Sequence, residues 1–384
     1  MTLETIRPFY AMEILGRAQA READGHSVCH LEIGEPGGAP SPAVRAAVKA
    51  CIDRPMGYTS AKGMRPLRER LARYYDERHG VAVDPERIMI TMGSSSGFIL
   101  SFLGAFPPGA RIAVTRPGYP AYLNILSSLH MQVAEIPVRS ETGWKPTVED
   151  IETAYAQAPF DGFLLASPAN PTGAVLDADE LAQIVACCER LGVRFISDEI
   201  YHGLNYVGRD VSALETSSAP IVVNSFSKYY CMTGWRIGWL VLPEDLVRRV
   251  EMMAQSLFIS ASSVSQMAAL AALDERTFYD ARRDAYAQNR LLLARGLERL
   301  GFKGARPSDG AFYVYVDASP FTNDTMDFCI RLLEDTGVAT TPGADFDRTD
   351  GHQYVRFSYA GTRETIEEAI ERTERFLRPV GRYG

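Results

Sequence analysis

A lysine in Ser225-Phe226-Ser227-Lys228 and an arginine in Thr233-Gly234-Trp235-Arg236 lie just beyond a short apolar run, Ile221-Val222-Val223. A buried strand ending there presents an amine, two hydroxyls and a guanidinium around one turn. That set suits a lysine holding an aldehyde cofactor as an imine while the phosphate of the same molecule is clamped beside it. A surface loop can have the same composition, because lysines are usually solvated. The stretch therefore needs its context before it means anything.

Other apolar runs end in loops of the same kind. They are Gly93-Ser94-Ser95-Ser96, Pro117-Gly118-Tyr119-Pro120, Ser167-Pro168-Ala169-Asn170-Pro171 and Ser197-Asp198-Glu199-Ile200-Tyr201. A glycine-serine turn that opens a helix exposes free N–H groups at the positive end of the helix dipole, which attract phosphate. Each residue also has a plainer role: Asp198 can cap a turn, Asn170 can start one before Pro171, and Tyr119 can pack in a core. In open α/β sheets, however, ligands bind at the carboxyl ends of the strands. One edge would then carry an anion nest, an aromatic ring, an amide, an acid with a tyrosine, and a lysine. Together these suit a flat, phosphorylated heteroaromatic aldehyde.

The elements that must position these loops follow from the apolar pattern. Strands are expected at 88–91, 112–114, 133–136, 163–165, 195–196, 221–223 and 237–241, with helical patterns between several of them. Short apolar strands separated by helices signify an α/β fold, a mostly parallel sheet covered on both faces. A seven-stranded-type sheet places the large domain at 46–275. Helices are expected over Pro8 to Asp24, Ser41 to Ile52 and Phe98 to Phe106. A short strand at Leu31-Glu32-Ile33 leads into the Gly34-Glu35-Pro36-Gly37 loop. The tail alternates differently, with helices over Thr277 to Leu300, near Met326 to Thr336 and through Ile366, Ile370 and Leu377. Strands at 311–316 and 354–358 accompany them, so 276–384 together with 1–45 reads as a smaller α+β domain.

In this order the loops resemble the fold type I pyridoxal-phosphate-dependent aminotransferases of class I/II, the aspartate aminotransferase superfamily, from about Glu32 to Phe357. The specific marks are Asn170-Pro171-Thr172-Gly173, Asp198-Glu199-Ile200-Tyr201, and Ser225-Phe226-Ser227-Lys228 followed by Thr233-Gly234-Trp235-Arg236. The resemblance implies that pyridoxal 5'-phosphate is the cofactor and that Lys228 is both its imine-forming lysine and the proton shuttle. Asp198 would partner the ring nitrogen, Asn170 and Tyr201 the ring's phenolic oxygen, and Tyr119 the ring face. Some family members carry tryptophan at the stacking position. Ser94, Ser95, Ser225 and Arg236 would cradle the phosphate, with Ser227 adding to it. Tyr58 is similar to a tyrosine that reaches the phosphate of the partner subunit, which implies a homodimer with shared sites. Arg356 resembles the arginine that forks onto the substrate α-carboxylate. Gly34 would offer a backbone N–H to the same group, and Asn170 borders it.

The activity so implied is transfer of an amino group from an L-amino acid to a 2-oxo acid. A lyase performing β- or γ-elimination or carbon–sulfur cleavage could use the same anchors, because the pocket decides which bond breaks. A non-catalytic regulator on this fold usually carries an added DNA-binding domain, and no basic helix-turn-helix pattern precedes Glu32. No second arginine is assignable to a dicarboxylate side chain. Tyr10, Phe312 and the Phe258-Ile259-Ser260 stretch are candidates for an apolar side-chain wall.

The bulk properties agree. Over 384 residues the chain is 46% hydrophobic and 23% charged, with formal net charge -8, as in an ordinary globular protein and against a nucleic-acid partner. Its six cysteines show no paired metal-ligand spacing and read as reduced thiols. His26, Cys29 and His30 lack a supporting further ligand, so no metal is expected. Gly57 to Gly63 lacks the Gly-Lys-Ser/Thr ending of a phosphate loop. The N-terminal stretch carries Glu4, Glu13 and Glu22 and no uninterrupted apolar core, unlike a signal peptide, and no run suits a membrane span. A cytoplasmic enzyme without a membrane partner is the expectation.

Overall fold

A computed structural model describes residues 6–378. The chain opens with α1 (Tyr10–Ala23), a short β1 (Cys29–His30), α2 (Pro42–Ile52) and α3 (Arg65–His79). From there strands and helices alternate: β2 (Ile88–Thr91), α4 (Gly93–Ala105), β3 (Arg111–Arg116), α5 (Pro120–Ser128), β4 (Gln132–Pro137) and α6 (Val148–Gln157). They continue through β5 (Gly162–Ala166), α7 (Ala178–Leu191), β6 (Arg194–Asp198), β7 (Ile221–Ser225) and β8 (Gly238–Val241). Local signals set several boundaries. Asp177 and Glu180 form a reciprocal capping box at the start of α7, and Gly192 ends it at φ 70, a conformation glycine adopts without steric cost.

The strands β2 to β8 form one seven-stranded sheet in the order β2-β8-β7-β6-β5-β3-β4. β8 runs antiparallel to both β2 and β7, and the other pairings are parallel. Successive strand residues enter opposite cores, as a two-residue side-chain period requires. Ala113, Phe195, Val222 and Trp239 pack on one face with Leu181 and Val185 of α7. Their neighbours Ile112, Ile196, Val223 and Leu240 pack on the other with Phe102 of α4. Both faces are therefore dry, and loops at the strand ends are where the sheet meets a ligand.

After β8 come α8 (Glu244–Leu257), α9 (Ser263–Ala272) and the long α10 (Arg276–Leu300). The remainder is β9 (Tyr313–Asp317), α11 (Thr325–Thr336), β10 (Val338–Ala339), β11 (Thr341–Pro342), β12 (Tyr354–Ser358) and α12 (Arg363–Leu377). A second sheet, antiparallel and ordered β11-β12-β9, comes from this part, and β10 pairs in parallel with β1.

Local differences from the sequence reading have simple causes. The helix expected from Phe98 starts at Gly93, because the glycine-serine turn is itself the first helical turn. The strand expected at Leu31-Glu32-Ile33 lies just before it, at Cys29–His30, paired with Val338–Ala339. Leu31 then splits its bonds, donating to the Ala339 carbonyl at 2.9 Å and accepting from the Ser358 N–H at 2.8 Å, so the ladder does not continue. Among the described residues no helix is long and apolar enough to cross a membrane.

Candidate active site

The C-terminal ends of the sheet strands, α1 and the second sheet enclose a cavity of about 610 Å³. Its lining includes Ser94 and Ser95 from the start of α4, Tyr119, Asn170, and Asp198 with Tyr201. Ser227, Lys228 and Arg236 close one side, and Gly34 and Arg356 the other. Two of the expected site residues lie elsewhere. Ser225 is buried beneath the wall: its Oγ donates to the Ile237 carbonyl at 3.0 Å, accepts from the Ser227 N–H at 3.1 Å, and so fixes the loop that carries Lys228. Tyr58 is 83% exposed and does not reach the cavity of its own chain.

Lys228 follows β7 directly. Its Nζ donates to the Gly34 carbonyl at 2.6 Å and makes no ion pair among the described residues. Burial lowers its pKa to about 8, with Arg356 and Arg236 acting in the same direction against Glu35 and Asp198. The result is an amine that is readily neutral. Asp198 ends β6. Its Oδ1 accepts from the Ile200 N–H at 3.0 Å, and its Oδ2 accepts from the Tyr122 hydroxyl. Burial pushes its carboxyl up to about 6, opposed by the Tyr122 and Ile200 hydrogen bonds and by Lys228.

Arg356 lies in β12, held between the rings of Tyr313 and Phe346 at 4.2 and 4.7 Å from their centres. Nη1 donates to Asn170 Oδ1 at 2.9 Å, and Nη2 to the Glu32 carbonyl at 2.5 Å and to Thr341 Oγ1 at 3.1 Å. On the strand ladder Arg356 stands opposite Tyr315 and Asp317 opposite Tyr354, and no carboxylate among the described residues pairs with Arg356. The buried guanidinium has only neutral acceptors, and its Nε has none. Such a site is short of an anion. The Tyr201 and Tyr313 hydroxyls lie 2.9 Å apart. Gly34 is required beside them, because a Cβ there would stand 1.7 Å from the Tyr313 hydroxyl oxygen.

At the opposite end, α4 begins without a side-chain cap from Met92, leaving its first N–H groups for another acceptor. Arg236 stands over this turn in a left-handed backbone conformation, φ 50, that costs energy for a non-glycine residue. A Cβ at Gly93 would lie 2.6 Å from its guanidinium, and one at Gly238 would lie 3.2 Å from the Ser94 nitrogen. Both glycines keep a cradle open where a phosphate can approach the backbone. Tyr119 supplies an aromatic face, itself steadied edge-on by Tyr122 and Phe9. An uncapped helix start with an arginine, a ring, a buried acid and a half-buried amine fit pyridoxal phosphate from end to end.

Sequence reasoning missed Tyr122 and Tyr313. Tyr122 sits one helical turn after Tyr119, a spacing that could have flagged it; Tyr313 reads as one more residue of an apolar strand. The apolar wall also differs from the one expected. Tyr10 and Phe312 do not line the cavity, and Phe258, Ile259 and Ser260 line a separate small one. Phe9, Met12, Leu15 and Ile33 form the wall instead. His30 hydrogen-bonds with Glu32 at 2.8 Å and lies 3.2 Å from Glu22.

The fold and this cavity define an α/β enzyme whose lysine, buried acid and arginines could hold a phosphorylated aldehyde. The family described as Aminotransferase class I and II matches residues 27–372, and the chain belongs to it. It is 45% identical to the valine–pyruvate aminotransferase of Mycobacterium tuberculosis over 97% of both chains. It is 32% identical to the aspartate/prephenate aminotransferase of Thermus thermophilus over 99% of this chain and 98% of that one. Among solved structures it is similar to an aminotransferase from Mycobacterium tuberculosis, at TM-score 0.94 and 44% identity over 98% of each chain. The aspartate aminotransferase from Thermus thermophilus with maleate aligns at TM-score 0.91 and 31% identity, covering 97% and 98%. The chain is a fold type I, pyridoxal-phosphate-dependent aminotransferase; amino-group transfer is its activity, and elimination is not favoured.

Proposed function

We propose that Lys228 is the anchor and proton shuttle of this aminotransferase and that its donors are L-amino acids with apolar side chains. The observation carrying this reading is the isolation of Lys228: a half-buried amine on the cavity wall, free of any carboxylate partner among the described residues, that donates only to the Gly34 carbonyl and feels the charges of Arg356 and Asp198. Bound pyridoxal phosphate supplies an electron sink for the donor's Cα and a carbon that stores the amino group. Arg356 forks onto the donor's α-carboxylate, with Asn170 and the Gly34 backbone beside it. Lys228, neutral, would take the proton from the donor's Cα and return it to the carbon that stores the amino group. Asp198 would favour a protonated ring nitrogen. Asn170 Nδ2 and the Tyr201 hydroxyl would be the donors for the ring oxygen, and Tyr119 the aromatic for the ring face. Ser94, Ser95, Ser227 and Arg236 would hold the phosphate, and Ser225 supports Ser227 from below.

The apolar donor class rests on two facts. The side-chain wall is Phe9, Met12, Leu15 and Ile33, and among the described residues the cavity's only cations are Lys228, Arg236 and Arg356, each already given a role. A 45% identical relative named for valine and pyruvate points the same way. Tyr58, exposed on one chain, suits a homodimer in which it reaches the partner's phosphate site. A cytoplasmic location accords with six unpaired cysteines. We also read 46–275 as the large domain, since it contains the seven-stranded sheet, and 1–45 with 276–384 as the small one. Residues 1–5 and 379–384 of that division lie outside the described residues.

The test is amino transfer from L-valine, L-alanine and L-aspartate to pyruvate or 2-oxoglutarate by the wild type and Lys228→Ala. Transfer from valine in preference to aspartate, lost in the variant together with cofactor retained through borohydride reduction, is the expected result. Preference for aspartate would sink the donor class, and full turnover by the variant would sink the role of Lys228.

A further inference from the structure

The first turn of α1 has no cap of its own. Its N-cap residue Phe9 makes no side-chain hydrogen bond to the turn. The missing acceptors come from the far end of the chain: Asp345 Oδ1 accepts the Tyr10 N–H at 2.8 Å and Oδ2 accepts the Ala11 N–H at 2.9 Å. Asp345 is 7% exposed. A bidentate carboxylate across 335 positions is more than an ordinary helix cap, because it ties one element to a distant one.

What it ties together is the site. Asp345 lies in a single 3₁₀ turn, Gly343–Asp345, directly after β11. The next residue, Phe346, stacks on the Arg356 guanidinium, and its carbonyl accepts the Gly118 N–H at 3.0 Å, one residue before Tyr119. The turn itself has no room to slide, since a Cβ on Gly343 would stand 2.5 Å from the Gly351 carbonyl oxygen and 2.7 Å from that of Tyr354. On the other side of the bond, α1 presents Met12 and Leu15 to the cavity, and Phe9 lies edge-on to Tyr119.

We infer that Asp345 is a positioning residue for donor selectivity: by pinning the start of α1 to the turn that backs Arg356, it sets the distance between the carboxylate fork and the apolar wall. It touches no reacting atom. Its effect grows with the donor's side-chain length, because a short side chain never meets α1. This rests on the apolar-donor reading proposed above.

The experiment measures KM and kcat of the holoenzyme for L-alanine, L-valine and L-leucine with 2-oxoglutarate as common acceptor. The variants are Asp345→Ala, Asp345→Asn and Met12→Ala. Loss of the cap in Asp345→Ala should raise KM for valine and leucine about fivefold or more and leave alanine within about twofold, with kcat and the bound-cofactor absorbance retained. Asp345→Asn, keeping one acceptor, should fall between, and it decides the matter if the alanine variant does not fold. Met12→Ala, with the cap intact, should reproduce the selective loss for leucine. Equal KM changes for all donors, or none, would overturn the role of Asp345, as would an unaffected leucine KM in Met12→Ala. A wild type that transfers from none of the three defeats the proposed function itself, whereas a wild type favouring valine with indiscriminate variants defeats only the inference.

Discussion

Asn170 Oδ1 accepts from Arg356 Nη1 at 2.9 Å, so one amide orients this buried guanidinium with its oxygen and leaves its nitrogen for a second partner. The two residues come from opposite ends of the fold, the loop after β5 and strand β12. Removing the amide as Asn170→Ala leaves a buried guanidinium with one acceptor fewer. Loss of a hydrogen bond to a charged group costs about 1.5–3 kcal/mol, so kcat/KM should fall roughly 10- to 100-fold. The signature is a rise in KM for every donor, since the α-carboxylate is common to all. Steady-state kinetics with two donors of different length checks it.

Cofactor loading should follow the ionisation of Lys228. With its pKa lowered to about 8, the amine is protonated and unreactive below that pH and free above it. The loading rate of the apoprotein should therefore climb about tenfold per pH unit below the pKa and level off above it. Stopped-flow absorbance between pH 6 and pH 9 (about one to two units either side) tests the sign. A rate that is flat across that window would separate Lys228 from the titration.

Tyr122→Phe removes the hydroxyl that donates to Asp198. A lost donor to a carboxylate disfavours its anion, so the Asp198 pKa should rise above its present value of about 6. The acid limb of the kcat profile should move to higher pH, with kcat lower by roughly tenfold at neutral pH. An unchanged limb would make Tyr122 a packing residue only.

If the proposed shared-site homodimer holds, Tyr58→Ala should weaken cofactor retention by about tenfold while the chain still sediments as a dimer, since Tyr58 is exposed and lies outside the cavity of its own chain. Equilibrium dialysis with sedimentation velocity measures both. A fully active monomer would rule out shared sites.

The strand-end loops were legible in the sequence because each follows an apolar run long enough to fill a buried strand and ends in residues that a solvated turn does not need. Asp198, Lys228 and Arg236 stand out for that reason, and all three face one cavity. Tyr58 was legible only through resemblance, as its exposed position gives no local clue. Tyr122 and Tyr313 stayed hidden because a buried aromatic looks the same whether its hydroxyl is idle or bonded to Asp198 or Tyr201. The cavity's apolar wall differs from the one expected for a geometric reason: α1 turns Met12 and Leu15 inward, and its first turn is capped by Asp345, which no local pattern near Tyr10 reveals.

The antiparallel return of β8 beside β7 has a consequence for retention during turnover. Ser225 and Gly238 sit opposite each other at the mouth of this hairpin, so the lysine and the arginine hang from one stiff ladder. With the roles proposed above, such a hairpin would grip its ligand bivalently. If the Lys228 end let go, the Arg236 end would still hold, and recapture would be intramolecular at high effective concentration. The covalent link could then open in every cycle without release of the bound molecule.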